Sequence, residues 1–152
     1  MQVLFKDKIK IALVGQKVDS TSCVVVSSTC SDDKEIDFGS FLVFDDKDKN
    51  LCKIPTAKSH LDKPLGIALR EFHGLSLPSK SPLRVLRQGR IWVKCSSDVA
   101  PSDPVYISIN QDGAVFTNKE TQGAMKIKGA IYLEEAQGDL APIEINFLGG
   151  AQ

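Results

Sequence analysis

Short stretches in which apolar and polar residues alternate recur along most of the chain. The clearest is GRIWVKC at residues 89–95, where Ile91, Val93 and Cys95 share one face. The opposite face of the same stretch carries Arg90, Trp92 and Lys94. Because successive side chains of a β-strand point to opposite sides, this period of two predicts a strand that buries one face.

Nine further segments alternate in the same way or form an apolar run of strand length. They are bounded by glycine, proline, serine or charged residues, which favour turns. They lie at residues 8–14, 23–27, 41–44, 51–55, 66–69, 105–109, 114–118, 125–136 and 143–147. About ten short strands at this spacing predict an all-β domain, either a barrel or a sandwich.

Turn residues and inward positions can be assigned within several of these segments. The sequence NQDG at residues 110–113 predicts a hairpin turn, and Gly39 is expected to mark a bend. The strand at residues 125–136 is expected to carry a β-bulge at Gly129. Its inward residues are expected to be Ile127, Ile131 and Leu133. The expected inward residues of the neighbouring strands are Val105, Ile107, Ile109, Ile143, Ile145 and Phe147.

Helical patterns are weak throughout the chain. The best candidate, KSHLDKPLGIALREF at residues 58–72, is interrupted by Pro64 and Gly66. A length of 152 residues, with 42% hydrophobic and 25% charged residues, is typical of one globular domain. We therefore expect a single β-rich domain over residues 1–152, with residues 1–30 forming either an N-terminal arm or a strand of that domain.

The charge balance argues against two classes of partner. Lys and Arg together number 19, as do Asp and Glu, so the formal net charge is zero. Such a chain exerts no long-range attraction on nucleic acid or on an anionic membrane. Lys6, Lys8 and Lys10 interrupt the apolar residues that a signal peptide would need. We therefore expect synthesis in the cytoplasm, with neither a nucleic-acid nor a membrane partner.

Residue types that carry chemistry do not form a recognisable motif. The four cysteines are Cys23, Cys30, Cys52 and Cys95. Their spacing fits no zinc site, so they are expected to be reduced thiols that pack in the core, and the alternative is one disulfide formed after release from the cell. His60 and His73 form no metal-ligand pair, and DDKDKN at residues 45–50 lacks the later Gly and Glu of a calcium loop. We expect no catalytic residue, cofactor, metal ion or small-molecule substrate.

Arginines are concentrated in the strand predicted around residues 83–95. The alternation of a strand places Arg84 and Arg87 on opposite faces. Trp92 shares a face with Arg90, and both residue types are favoured at binding hot spots. Arg84, Arg87, Arg90 and Trp92 are therefore the candidate interface with a protein partner. The alternatives are a solvated rim for the arginines and a cap over the barrel end for Trp92.

The segments follow one another in a characteristic order. They read IDFGSFLVFDD, CKIPTA, KPLGIAL, RVLRQGRIWVKCSSDVAPSDPVYISI, GAVF and IKGAIYLEEAQGDLAPIEINF, covering about residues 35–147. This order resembles that of the structural cement, or capsid decoration, proteins of tailed phages. Those proteins typically show an I-x-F-G segment, a P-L-G-I/V-A strand, an R-x-G-x-I-W-V strand and a terminal G-D-L-A-x-I-x-x-N strand.

The resemblance implies a non-enzymatic virion protein with a small β-barrel or β-tulip-like domain. It implies binding to the outer face of the capsid, at junctions between major capsid subunits, which stabilises the mature head. The implied partners are the major capsid protein and further copies of the chain, in a homotrimer or homodimer made in the cytoplasm of the host bacterium. Two alternatives stay open: a β-barrel module on the virion that recognises carbohydrate or a host-surface partner, and a small hydrolase.

Overall fold

The alternating segments that lie within the described residues form strands, apart from the end of the segment at 8–14, and the fold is all-β as the sequence predicts. The computed structural model describes residues 13–31, 33–71, 76–110, 113–120 and 124–148. These ranges contain thirteen strands and one 3₁₀ helix, Lys58–Asp62. The strands are β1 (Val24–Cys30), β2 (Ile36–Asp37), β3 (Phe41–Phe44), β4 (Leu51–Lys53), β5 (Pro64–Ala68), β6 (Ser76–Leu77), β7 (Pro82–Lys94), β8 (Asp98–Val99), β9 (Pro104–Asn110), β10 (Gly113–Thr117), β11 (Ala124–Tyr132), β12 (Ala136–Gln137) and β13 (Leu140–Asn146).

Nine of these strands form one sheet that closes on itself at one end. Their order is β1-β4-β3-β5-β7-β13-β11-β9-β10, with an additional pairing between β1 and β7. That pairing turns β1, β4, β3, β5 and β7 into a closed ring. The named strands pair antiparallel except for β1 with β4, whose parallel register places Cys30 beside Cys52. The remaining strands, β13, β11, β9 and β10, continue the sheet from β7.

The far end of the sheet returns to the end of β7. Phe116 of β10 forms a bridge with Cys95, and the Ser96 N–H donates to the Phe116 carbonyl at 2.9 Å. The last strand is thereby attached beside the strand from which the continuation started. The continuation curves around the larger hydrophobic core as a result, which gives the barrel-like shape.

Strands β3 and β5 of the ring are buried on both faces, because each face packs into a separate core. Along β3, Leu42 belongs to the smaller core while Phe41 and Val43 belong to the larger one. The smaller core draws on all five ring strands, and the larger combines β3, β5 and β7 with the continuation. Burial on both faces explains why β3 reads as the unbroken apolar run FLVF.

The longest strand, β7, takes part in both halves of the sheet. It pairs with β1 up to Gln88 and with β13 from Gln88 onwards. The register with β1 skips Arg87, which makes Arg87 a bulge residue. Two positions later, Gly89 has a φ of +141°, a conformation that residues with a side chain rarely adopt. The strand therefore bends where it passes from one half of the sheet to the other.

The described part of the N-terminal region lies along β7 beyond the end of β1. The Gly15 N–H donates to the Trp92 carbonyl at 2.8 Å, and the Trp92 N–H donates to the Gln16 carbonyl at 2.9 Å. The Val18 N–H donates to the Arg90 carbonyl at 3.0 Å. Residues 15–18 therefore extend the sheet. The strand predicted at residues 8–14 lies outside the described residues as far as position 12, and positions 13 and 14 are not in a strand.

Strand β11 departs from the predicted pattern at Gly129. Its pairing with β9 shifts register across Gly129, which has a φ of +81°, so the predicted bulge is confirmed. The extra residue reverses the alternation: Tyr132 is fully buried, whereas Ile131 is 40% exposed. The prediction that Ile131 faces inward is therefore wrong, and Leu133 is only partly buried.

Most other predicted turns and inward positions agree with the structure. Strands β9 and β10 form the predicted hairpin, with Asn110 paired to Gly113, while residues 111 and 112 lie outside the described residues. Gly39 has a φ of +86° in the predicted bend. The predicted inward residues that are buried are Ile91, Val93, Cys95, Val105, Ile107, Ile127, Ile143, Ile145 and Phe147. Ile109 packs against the larger core from a partly buried position.

Candidate functional site

The four candidate interface residues all lie on β7, the strand shared by both halves of the sheet. Arg84 is the most exposed of the arginines, with 56% of its side chain accessible. Its Nε lies 3.9 Å from the carboxylate of Glu71. Because exposed salt bridges contribute at most about 1 kcal/mol, this contact leaves the charge of Arg84 accessible to a partner.

Arg87 instead makes its contacts within the fold. Its Nε donates to the Leu65 carbonyl at 2.9 Å, and its Nη2 donates to the Phe147 carbonyl at 3.1 Å. The guanidinium lies over the ring of Phe44, 5.5 Å from the ring centre, in a cation–π contact. Arg87 therefore joins β5, β3 and the segment after β13.

Arg90 bridges two carboxylates from separate segments. Its Nε donates to Glu144 of β13 at 3.2 Å, and its Nη1 donates to Asp19 of the N-terminal region at 3.3 Å. The hydrogen bond to Glu144 is the main cause that raises the pKa of the Arg90 guanidinium, with smaller contributions from the charges of both carboxylates. Since these side chains are 39% to 45% exposed, water and salt weaken the bridge.

Trp92 lies two positions after Arg90 and opposite Pro142 of β13. Its side chain is partly buried. The structure therefore brings Arg90 and Trp92 to one face of β7. Arg84 and Arg87 have different contacts and border different concavities, in line with the predicted opposite faces. The four residues do not form one continuous patch.

A concavity of about 700 Å³ lies on the outer face of the sheet, across β7, β13 and β11. Gly89, two positions after the bulge residue Arg87 of β7, and the bulge glycine Gly129 of β11 border it on the two sides of β13. Because bulges bend a strand and increase its twist, a bend on each side accounts for the hollow between them. The side chains that give the concavity its chemical character are Arg90, Lys126, Lys128, Ile131, Glu144 and Asn146.

Sequence reasoning assigned no binding role to Lys126, Lys128 or Ile131, and it expected Ile131 to face inward. Alternation places both lysines on the solvent face of β11, but it gives no reason to associate them with Arg90. That association comes from β13, which lies later in the chain yet pairs between β7 and β11. The signal that the sequence does offer is Gly129, because a bulge there moves Ile131 to the face of the lysines.

Two potentially reactive groups are buried in their neutral forms. Burial raises the pKa of the Cys95 thiol, which donates to the Asp139 carbonyl at 2.9 Å. Burial also raises the pKa of the Tyr132 hydroxyl, which has no hydrogen-bond partner among the described residues. Both groups are therefore suited to packing and not to proton transfer at neutral pH.

The described residues contain no group of three or more His, Cys, Asp or Glu side chains that could hold a metal ion. Nor does any helix in the described part of the chain have the length and apolar character needed to cross a membrane.

Comparisons with known proteins bear directly on the role of the chain. A family model described as structural cement protein (E217 gp24/Pam3 gp6) matches residues 1–146. A search of curated proteins found no match.

Solved structures with a similar fold include two phage proteins. A chain from the capsid of Myoviridae phage XM1 aligns with a TM-score of 0.70 and 20% identity, covering 90% of this chain and 92% of that one. The N base of head fiber gp8.5 of bacteriophage phi29 aligns with a TM-score of 0.51 and 16% identity, covering 82% of this chain and 95% of that one. At these identities, the likeness concerns the fold alone.

The family match extends over nearly the whole sequence and includes every described strand. It confirms the resemblance that the order of segments indicated. The chain therefore belongs to the structural cement protein family and is a structural protein of a phage virion with a cement or decoration role.

Proposed function

We propose that the chain binds the outer face of the phage head at junctions between major capsid subunits, as a homotrimer or homodimer, and thereby stabilises the mature head. The observation that carries this proposal is the family match over residues 1–146. Membership of the family associates the chain with capsid proteins. The outer position, the junctions and the oligomer are what we add.

The architecture is well suited to a mechanical role. Strands β3 and β5 of the ring are packed on both faces, and β7 runs through both halves of the sheet. Protein interiors packed in this way are dense and transmit strain. Contacts on opposite sides of the molecule are therefore connected through a stiff body, as a protein that links neighbouring subunits requires.

Multiple contacts explain how a small domain can bind a shell tightly. Once one protomer of an oligomer is bound, the others bind at high effective concentration, which adds about 10²–10⁴ in avidity. A protein that binds the assembled lattice and not separate subunits stabilises the lattice by mass action. A net charge of zero also reduces repulsion among many copies on one head.

We assign the contact with the shell to the region of β7 that carries Arg84, Arg90 and Trp92. Arg84 presents an accessible charge, and Arg90 and Trp92 share one face. Arg87 belongs to the proposed set because it holds β7 in place. Its guanidinium donates to the backbone carbonyls of Leu65 and Phe147 within the fold.

The proposal is tested on heads prepared without the protein. Adding the full chain at saturating concentration is expected to raise the temperature at which heads rupture, measured by release of packaged DNA. A β-rich protein of similar size and zero net charge that does not bind heads serves as the control. Equal rupture temperatures with and without the chain would contradict the stabilising role.

The outer position has its own test on intact virions. Antibodies against the chain are expected to label sealed heads, viewed by negative-stain microscopy. Antibodies against an internal head protein should label only ruptured heads. If both antibodies required rupture, the proposed outer position would be wrong.

A further inference from the structure

The concavity across β7, β13 and β11 is formed mainly by strands and not by loops. The bends of β7 near Gly89 and of β11 at Gly129, on either side of β13, shape it. A Cβ atom at Gly129 would lie 2.4 Å from the Asn146 carbonyl oxygen, so the close approach of β11 to β13 requires glycine. The hollow is therefore built into the sheet and does not depend on a loop conformation.

The bulge at Gly129 also exposes a large apolar side chain. Ile131 is 40% exposed, and the other exposed large apolar side chains among the described residues are Leu13 and Leu148. Leu13 and Leu148 lie outside the strands, whereas Ile131 lies within β11. Uninterrupted alternation from the buried Ile127 would have placed Ile131 in the core. The fold thus presents an isoleucine to solvent at the rim of a concavity.

The charged side chains of this concavity are not balanced internally. Arg90 is paired with Glu144 and Asp19. Lys126 and Lys128 are exposed, and neither makes a salt bridge with another described residue. Three cations and one carboxylate line the concavity, so it carries an excess of positive charge on a chain whose net charge is zero.

The concavity beside Arg87 offers a contrast on the same molecule. It measures about 430 Å³ and is lined by three aspartates and three basic side chains. These are Asp45, Asp46, Asp62, Lys49, Lys63 and Arg87. Its charges balance, and Arg87 already donates within the fold. The positive excess therefore distinguishes the concavity at Ile131 from the one beside Arg87.

We propose that the surface formed by Lys126, Lys128 and Ile131, with Arg90 at its edge, binds an acidic segment of the major capsid protein that carries an apolar side chain. This inference rests on the proposed function and names the surface and the chemistry of its partner. Carboxylates of the segment pair with the two lysines, which have no such partner among the described residues. The apolar side chain packs on Ile131, and Arg90 keeps its bridge to Glu144.

The test compares single variants of the full chain for binding to heads that lack the protein. Lys128→Glu and Ile131→Asp are each expected to raise the dissociation constant at least tenfold, measured by co-sedimentation. The matched controls are Lys119→Glu, which reverses an exposed lysine elsewhere, and Leu148→Asp, which alters an exposed apolar residue elsewhere. Both controls are expected to bind as the unaltered chain does.

Folding of each variant is checked by circular dichroism and thermal denaturation. If Lys128→Glu or Ile131→Asp does not fold, Lys128→Gln and Ile131→Thr replace them, with the same expected direction. A peptide of alternating Glu and Leu is expected to compete with heads for the chain, whereas one of alternating Lys and Leu is not. Competition by the lysine peptide alone would contradict the assigned chemistry.

The outcomes separate this inference from the proposed function. If the unaltered chain binds heads and the Lys128 and Ile131 variants bind equally well, the assigned surface is wrong while capsid binding stands. If the unaltered chain binds no heads at all, both proposals fail. If the variants lose self-association in sedimentation velocity without heads, the surface joins copies of the chain, and the acidic capsid segment is rejected as its partner.

Discussion

Removing the hydroxyl of Tyr132 is expected to stabilise the protein. Tyr132 is fully buried in the larger core, and its hydroxyl has no hydrogen-bond partner among the described residues. A buried polar group without a partner loses its hydrogen bonds to water on folding and gains nothing in return. Phenylalanine has the same ring without that group, so Tyr132→Phe removes the cost while keeping the packing.

Two opposing contributions set the size of the effect. An unsatisfied buried hydroxyl costs about 1–3 kcal/mol. The void left by one oxygen atom, roughly 10 Å³ at about 24 cal/mol per Å³, costs about 0.2 kcal/mol. The free energy of unfolding of Tyr132→Phe is therefore expected to rise by about 1–3 kcal/mol. Each kcal/mol corresponds to about 2–4 °C in melting temperature for a chain of this length.

Urea denaturation of the free chain, monitored by circular dichroism, measures this difference. The matched control is Tyr106→Phe on β9, where the side chain is only partly buried, and a change within about 0.5 kcal/mol is expected. The slope of the unfolding free energy against urea concentration should be the same for the unaltered chain, Tyr132→Phe and Tyr106→Phe. A Tyr132→Phe variant less stable than the unaltered chain would show that the hydroxyl has a stabilising partner, and would refute the reasoning.

Three further predictions concern the bulge, the arginines and pH. Gly129→Ala should lower the melting temperature more than Gly138→Ala. Both glycines have positive φ, which costs alanine about 1–3 kcal/mol of backbone strain. A Cβ atom at position 129 would also lie 2.4 Å from a backbone oxygen, whereas one at position 138 would lie 3.5 Å from a side-chain oxygen. Equal losses would contradict the close approach. Arg87→Ala should lower the free energy of unfolding, measured by urea denaturation, by about 1–3 kcal/mol, because two carbonyls lose a charged donor. Arg84→Ala should lower it by less than about 0.5 kcal/mol. The reverse order would contradict the assigned contacts. Burial raises the pKa of Tyr132 above its usual 10.0, so the unfolded chain deprotonates first and stability is lost as pH rises above about 10. The stability advantage of Tyr132→Phe should therefore grow with pH in that range, and a constant difference between pH 8 and pH 11 would show that Tyr132 does not contribute to the loss.

Alternation and turn residues were sufficient to predict most of the strands. The bounds of β3 match the predicted run, and Ile143, Ile145 and Phe147 are buried on β13 as expected. These features depend on neighbours in the sequence, since the period of a strand is local. The hairpin between β9 and β10 was predictable for the same reason.

Pairings between distant segments could not be predicted in this way. The ring depends on β1 pairing with both β4 and β7, and the parallel pair of β1 and β4 has no turn sequence that announces it. Residues 15–18 likewise attach to β7 through backbone hydrogen bonds, which any residue except proline can donate. Such contacts follow from how the cores assemble and not from local pattern.

The candidate interface shows what the local pattern can predict and what depends on distant segments. Parity placed Arg84 and Arg87 on opposite faces, but it could not show that Arg87 donates to two carbonyls on other segments. Gly129 was expected to be a bulge, yet its effect on Ile131 required knowing that the alternation restarts one residue later. Lys126 and Lys128 line one concavity with Arg90 because β13 pairs between β7 and β11, and the local pattern does not predict that pairing.

A cryo-electron microscopy map of the virion that contains this chain tests the central claim most directly. The account predicts density on the outside of the head, at the junctions between major capsid subunits, into which the nine-stranded sheet fits as a symmetric oligomer. A map at comparable resolution in which the head surface carries no such density would contradict the account.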